Sequence, residues 1–136
     1  MKIYFAGSIR GGRGDSDLYA AVITELKKYG EVLTEHLGDA LLSKHGENKP
    51  ATYVYSRDIE WLTAADVVVA EVTTPSLGVG YEIAKAEELK KKMICLFRPS
   101  KDKSLSAMII GNSRLLVKEY ATLVDIQGIL KDFFKS

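Results

Sequence analysis

The sequence is poor in the side chains that build metal centres and disulfides. Its 136 residues hold one cysteine, Cys95, and two histidines, His36 and His45. A lone thiol closes no intrachain disulfide, and no Cys/His set has the spacing of a zinc site. Two histidines are too few for a centre of imidazoles alone, so no metal and no cofactor is expected. No apolar run approaches the ~20 residues that cross a bilayer. The N-terminus lacks the long apolar core and small-residue cleavage site of a secretory leader. Excess charge of one sign is missing too: 19 Lys+Arg stand against 18 Asp+Glu, a formal charge of +1. That balance leaves no basic coat for a nucleic-acid polymer and no polybasic membrane tether. Disorder is excluded by high apolar content and low net charge. What is present is 46% hydrophobic and 27% charged residues, enough for one core and its surface. The expectation is a soluble cytoplasmic chain forming a single domain over residues 1–136, short enough to need a second copy to complete its site.

Strand and helix patterns alternate along the chain. Met1–Gly7 reads as a buried strand, followed by Gly7–Gly14 with four glycines in eight residues. Asp15 or Ser16 caps a helix carrying Leu18, Ala21, Val22, Leu26 and Tyr29 on one face, closed by Gly30 at C′. Glu31–Glu35 is a second strand. Leu37–Pro50 is a long polar loop with room for one helical turn, a length typical of lids and binding loops. Thr52–Ala65 is helical. Asp66–Val72 is a continuous β-branched strand of the kind covered on both faces. Thr73–Gly80 is a turn-rich loop, Tyr81–Lys91 a helix and Met93–Phe97 a strand. Leu105–Ile110 is a short helix, Arg114–Lys118 a fifth strand and Thr122–Phe134 a last amphipathic helix. The alternation predicts an α/β, flavodoxin-like three-layer sandwich: a five-stranded parallel sheet of order 2-1-3-4-5 with helices on both faces. Ligands of such sheets bind at the carboxyl ends of the strands, between the first and third. The loops Gly7–Gly14 and Thr73–Gly80 should therefore meet at one crevice.

The first of these loops offers successive backbone N–H groups, a helix N-terminus and two arginines, Arg10 and Arg13, which together suit a phosphate or carboxylate. It has neither GxxxxGK[ST] nor GxGxxG, so nothing here points to a P-loop or a dinucleotide. Just after the second loop, Glu82 sits where a helix is expected to open. A carboxylate in a first helical turn is ordinarily a dipole-stabilising surface group; its place beyond a buried strand, at the expected crevice, makes it a candidate for chemistry. Tyr4 belongs to the core by pattern, and its hydroxyl needs a partner if buried. His36, at the end of the second strand, is a candidate ligand contact. Trp61 and Cys95 read as packing residues, Asp66 and Glu71 as capping or pairing groups, and Lys90–Lys92 as a solvated helix end.

These residues carry a resemblance. The runs YFAGSIRGGR (Tyr4–Arg13), LTEH (Leu33–His36), DIEWLTAADVVVAEVTTPSLGVGYEIAKA (Asp58–Ala86) and CLFRPSKDKSLSAMI (Cys95–Ile109) resemble the 2′-deoxynucleoside 5′-phosphate N-hydrolases, within the nucleoside 2-deoxyribosyltransferase superfamily. The resemblance covers nearly the whole chain and is weakest over the loop Leu37–Thr52 and the C-terminal helix. It implies hydrolysis of the N-glycosidic bond of a deoxynucleoside monophosphate by a flavodoxin-like homodimer with shared active sites. Carried onto this chain, it places the nucleophile at Glu82, the acid/base carboxylate at Asp58 and a sugar-side tyrosine at Tyr4. It places phosphate and sugar binding at Gly7, Ser8, Ile9, Arg10, Gly11, Gly12 and Arg13, with Ser76 and Gly78 from the second loop. Ser106, with Ala107 and Met108, would serve the neighbouring subunit's site, and His36 would approach the base. Three rival readings stand beside this one: a deoxyribosyltransferase, a ribonucleotide (CMP-type) N-glycosidase, and a nucleotide-binding module without turnover.

Overall fold

The computed structural model describes residues 1–9, 16–38 and 47–136. Five strands, β1 (Lys2–Ala6), β2 (Glu31–Val32), β3 (Val67–Glu71), β4 (Lys92–Phe97) and β5 (Leu116–Glu119), form one sheet of order β2-β1-β3-β4-β5. Every neighbouring pair is parallel. The helices are α1 (Ser16–Leu26), α2 (Ala51–Ala64), α3 (Leu77–Glu88), the short α4 (Ala107–Ile110) and α5 (Leu123–Lys135). This is the order and direction that the alternating pattern predicts.

Two-residue side-chain alternation along the strands divides the core. Ile3, Phe5, Val67, Val69, Ile94 and Leu96 face one side, against Val22 and Leu26 of α1 and Ile126 and Leu130 of α5. Tyr4, Ala6, Val68, Ala70, Cys95 and Phe97 face the other, against Leu62 of α2 and Val79, Ile83 and Ala86 of α3. The central strands are buried on both faces, as their continuous apolar runs require. The alternation has a functional consequence: it sends Tyr4 toward the α2 and α3 layer. Cys95 is fully buried, and burial pushes its thiol up to about 11, which makes it an inert core group.

Several element boundaries differ from the sequence reading, each for a local reason. Strand β2 ends at Val32 rather than Glu35. Thr34 leaves the ladder and substitutes its side chain: Phe5 N–H donates to Thr34 Oγ1 at 2.9 Å, and that hydroxyl donates to Phe5 C=O at 2.7 Å. The chain then makes a 3₁₀ turn over Glu35–Gly38, which overlaps the expected loop only at Leu37 and Gly38; residues 39–46 of that loop lie outside the described residues. Helix α1 ends at Leu26, so Gly30 is not its C′ residue. Gly30 is needed for a close approach: a Cβ there would lie 2.3 Å from the Met1 carbonyl oxygen. Strand β5 starts at Leu116 rather than Arg114 because Asn112 takes the N–H groups of Arg114 and Leu115.

Helix α3 begins four residues before the expected Tyr81. Ser76 caps it, accepting from Val79 N–H at 3.2 Å, and this cap outweighs the helix-weakening Gly78 and Gly80. Glu82 therefore lies in the second turn of α3, away from the N-terminal dipole that a first-turn carboxylate would feel. Lys90 and Lys92 are exposed, as their pattern suggests, yet two ammonium groups of the run also make hydrogen bonds. Lys91 donates to the carbonyls of Thr63 and Ala65, and Lys92 to those of Phe133 and Ser136, tying β4 to α2 and α5. Asp66 and Glu71 pair as expected. Asp66 accepts from Lys2 N–H at 2.7 Å, and the buried Glu71 accepts from Thr73 and from the Tyr120 hydroxyl. No helix among the described residues is long and apolar enough to cross a membrane.

Core and surface positions on α5 should separate cleanly in stability. Leu130 is 0% exposed and Val124 72% exposed. Leu130→Ala should cost roughly 2–4 kcal/mol in urea unfolding, and Val124→Ala less than about 0.5 kcal/mol.

Candidate active site

A cavity of about 300 Å³ opens at the carboxyl ends of β1 and β3. It is lined by Gly7 and Ile9 after β1, by Ser76, Gly78, Val79 and Glu82 at the start of α3, by Ala51, Val54, Tyr55 and Asp58 of α2, and by Glu47. The four α2 residues follow i, i+3, i+4, i+7 spacing, one face of the helix. Strands 1 and 3 are where a 2-1-3-4-5 sheet reverses direction, so the crevice lies where parallel-sheet geometry puts it.

Beneath the cavity, Tyr4 is 1% exposed and its hydroxyl donates a short hydrogen bond to Glu82 Oε2. This joins the buried first strand to the second turn of α3, and it gives the core tyrosine the partner its burial demands. Burial pushes the Glu82 carboxyl up to about 7, helped by the negative charge of Asp58; the Tyr4 hydrogen bond opposes the rise. The same surroundings push the Tyr4 phenol far above its ordinary value: burial first, then the charges of Glu82 and Asp58. Tyr4 therefore acts as a fixed hydrogen-bond donor.

Asp58 also sits above the ordinary aspartate value. Burial is the main cause, with the Glu47 charge in the same direction, while hydrogen bonds and charge from Arg57 pull it down. Arg57 Nε and Nη2 donate to Asp58 Oδ1 at 3.0 and 2.8 Å. The two terminal nitrogens of Arg57 also grip the two oxygens of Glu47, and its guanidinium lies 4.6 Å from the centre of the Trp61 ring. Trp61 is thus partly buried packing, as its pattern suggests, with a cation resting on its face. His36 touches this cluster, with Nε2 3.5 Å from Arg57 Nη2 and from Glu47 Oε2. Burial holds its imidazole below the ordinary histidine value, against the pull of Glu47.

The structure thus brings together Glu82, Asp58, Gly7, Ile9, Ser76 and Gly78 around one space, with Tyr4 under it. Ser8 is not on the cavity wall. It is fully buried, its N–H donates to the Tyr19 hydroxyl at 3.1 Å, and its own Oγ has no partner among the described residues. A buried hydroxyl left open beside a cavity is a feature that a ligand oxygen would satisfy. His36 lies behind Glu47 and Arg57 rather than on the wall. Arg10, Gly11, Gly12 and Arg13 lie outside the described residues. Ser106, Ala107 and Met108 are exposed and away from the cavity. Ser106 caps α4 by accepting from Met108 N–H, and Ser106 and Met108 line a separate groove of about 630 Å³ between α3 and the α4 segment. Ser76 lines both spaces.

Two site residues escape the sequence reading. Glu47 lies in a polar stretch without pattern, and nothing in the sequence marks it. Arg57 could have been found: Arg57 and Trp61 are i, i+4 on the helix that carries Asp58, a spacing that stacks a guanidinium on an indole. Among the described residues no group of three or more His, Cys, Asp or Glu side chains is arranged to hold a metal ion.

Comparison with known proteins shows the family of the chain. Residues 3–119 match the model of the nucleoside 2-deoxyribosyltransferase family. A 5-hydroxymethyl-dUMP N-hydrolase of Esox lucius is 50% identical over 141 aligned positions, covering 99% of this chain and 97% of that one. The 5-hydroxymethyl-dUMP N-hydrolase of Homo sapiens is 45% identical, covering 98% and 79%. Among solved structures, the CMP N-glycosidase of Clostridium botulinum superposes with a TM-score of 0.67 at 16% identity, over 96% of this chain and 99% of that one, a likeness of fold.

The raised Glu82 carboxyl has a thermodynamic signature. Its ordinary value is 4.5 and its folded value about 7, so between those pH values the folded state holds more protons than the unfolded state. Stability contributed by this group is complete below the lower value and is lost as pH rises through the upper one. Glu82→Gln should be roughly 1–3 kcal/mol more stable than the parent at pH 8 and nearly equal to it at pH 4, measured by urea unfolding. A difference that does not change between the two pH values contradicts the assignment.

Proposed function

Because the chain belongs to the nucleoside 2-deoxyribosyltransferase family, we propose that it hydrolyses the N-glycosidic bond of 2′-deoxynucleoside 5′-monophosphates, giving a free nucleobase and 2-deoxyribose 5-phosphate. Relatives named for hydrolysis of 5-hydroxymethyl-dUMP make a deoxynucleotide the first substrate to test. The observation that carries the reading is the arrangement at the cavity: a half-buried Glu82 held by Tyr4, with a second carboxyl, Asp58, on the facing helix.

Departure of a base from C1′ builds positive, oxocarbenium-like charge on the sugar. Ionised Glu82 stabilises that charge and bonds to C1′ as the C1′–N bond breaks, forming a glycosyl ester. Asp58 takes the proton that Glu82 gives up on ionising and passes it to the departing base. Water then attacks C1′, returning its proton to Asp58 and releasing Glu82. Two displacements at one carbon give net retention. The Tyr4 hydrogen bond fixes which Glu82 oxygen is held back and which faces the sugar, and its loss of strength as the ester forms is part of the cost of that step. The 5′-phosphate is assigned to Gly7, Ser8 and Ile9 with Ser76, and on the family resemblance to Arg10 and Arg13, which lie outside the described residues; its binding energy orients the sugar over Glu82. The whole chain, residues 1–136, acts as one such domain.

A homodimer completes the site in this reading. Ser106, Ala107 and Met108 do not reach the cavity of their own chain, yet they sit on an exposed apolar face with Leu77 97% exposed, Met108 82% and Ile110 67%. Covering such a face with a second copy removes apolar surface from water and carries Ser106 toward the neighbour's phosphate.

Glu82→Ala should lower release of free base from a deoxynucleotide panel by about 1,000-fold or more while leaving the circular dichroism spectrum unchanged. In the parent, kcat/KM should fall as pH rises through about 7, where the carboxyl pair loses the proton that the departing base needs. Mixing Glu82→Ala chains with Ser106→Ala chains should restore part of the lost activity through hybrid dimers holding one intact site; no recovery would oppose sharing. Adding a free acceptor base should not divert the sugar to a new nucleoside, the outcome that a transferase would give.

A further inference from the structure

The cluster around Arg57 places more charge beside the cavity than the proposed reaction uses. Three carboxylates, Glu47, Asp58 and Glu82, line the same space. The guanidinium of Arg57 bonds two of them at once. Its side chain is 16% exposed, and Glu47 and Asp58 are 15% and 26% exposed, so these contacts are only partly screened by water. Both bonds from Arg57 to Asp58 end on Oδ1; Oδ2 accepts none among the described residues. The far edge of the guanidinium is taken by a two-pronged contact with Glu47, and one face of it rests on Trp61. A planar fork held on three sides has little freedom to turn.

We propose that Arg57 is a positioning residue for the reaction proposed above: it pins Asp58 through Oδ1, leaves Oδ2 as the oxygen presented to the substrate, and is itself tuned by Glu47, which competes for its charge. This rests on the N-glycosidase reading and deepens it. Adjacent Arg57 and Asp58 on α2 would by themselves diverge around the helix, since successive side chains point about 100° apart. Glu47 and Trp61 bring the arginine back across Asp58.

The groups facing Asp58 fix the signs. Arg57 shares its helix. Glu47 and His36 approach from the preceding segments, Glu82 from α3 and Tyr4 from β1. Arg57 favours the ionised form of Asp58 and Glu47 disfavours it. Removing one or the other should therefore move Asp58 in opposite directions, which a purely structural role for either residue would not do.

The test is titration of the Asp58 side-chain carboxyl by carbon NMR in the unliganded protein, with the resonance assigned by its absence in Asp58→Asn. In Arg57→Gln the midpoint should rise by about one pH unit, and in Glu47→Gln it should fall by several tenths. Arg57→Lys keeps the charge and loses the fork. It should leave the midpoint near that of the parent, yet lower kcat on a deoxynucleotide several-fold with KM little changed. Midpoints that stay put, or that move the same way in both glutamine variants, overturn the proposal, as does full kcat in Arg57→Lys. Should Arg57→Gln not fold, Glu47→Gln and Arg57→Lys carry the same decision. The titration needs no turnover: opposite shifts without base release from the parent would sink the N-glycosidase reading alone, and base release with unmoved midpoints would sink the role of Arg57 alone.

Discussion

The hydrogen bond between the Tyr4 hydroxyl and Glu82 is the constraint around which the rest of the site is arranged. A carboxylate placed over a closely packed parallel sheet is costly to ionise, and a lone one would simply take up a proton. The tyrosine lowers that cost without adding a charge: its phenol is too deeply buried to ionise, so it can only donate. The outcome is a glutamate poised near neutrality. Once ionised, such a carboxylate is more nucleophilic toward an electron-poor carbon than one at its ordinary value.

Around that bond the chain divides its charges by burial. Glu82 has a neutral partner and is pushed up. Asp58 has a cationic partner and is held lower than burial alone would set it. Two carboxyl groups whose environments differ in this way can hold one proton between them near neutral pH, and Glu82 becomes the nucleophile as that proton passes to Asp58 and on to the base. The near-zero formal charge of the chain conceals this: +1 overall coexists with three carboxylates and one buried-edge arginine at a single cavity.

Some of the site was legible in the sequence and some was not. Glu82 and Asp58 were found through motif resemblance, and the meeting of the β1 and β3 loops through topology. Glu82 was placed one turn too near its helix start, because Gly78 and Gly80 read as loop while the Ser76 cap, a single side-chain contact, started the helix earlier. The second strand was drawn too long because Leu33–Glu35 has strand composition; the Thr34 side chain takes the ladder's place there. Glu47 left no trace at all, since its role comes only from a contact ten residues away with Arg57.

What the sequence determined by itself was the layered architecture, because hydrophobic period and β-branched runs are local signals that each element carries alone. Alternation along the first strand also decided that Tyr4 and Phe5 face opposite layers. Only the tertiary structure decided that the Tyr4 hydroxyl ends on Glu82, that Arg57 turns back across Asp58, and that Ser106 stands clear of the cavity its own chain forms. Those are distances between residues far apart in the chain, set by how the layers pack, and no local pattern encodes a distance across a core.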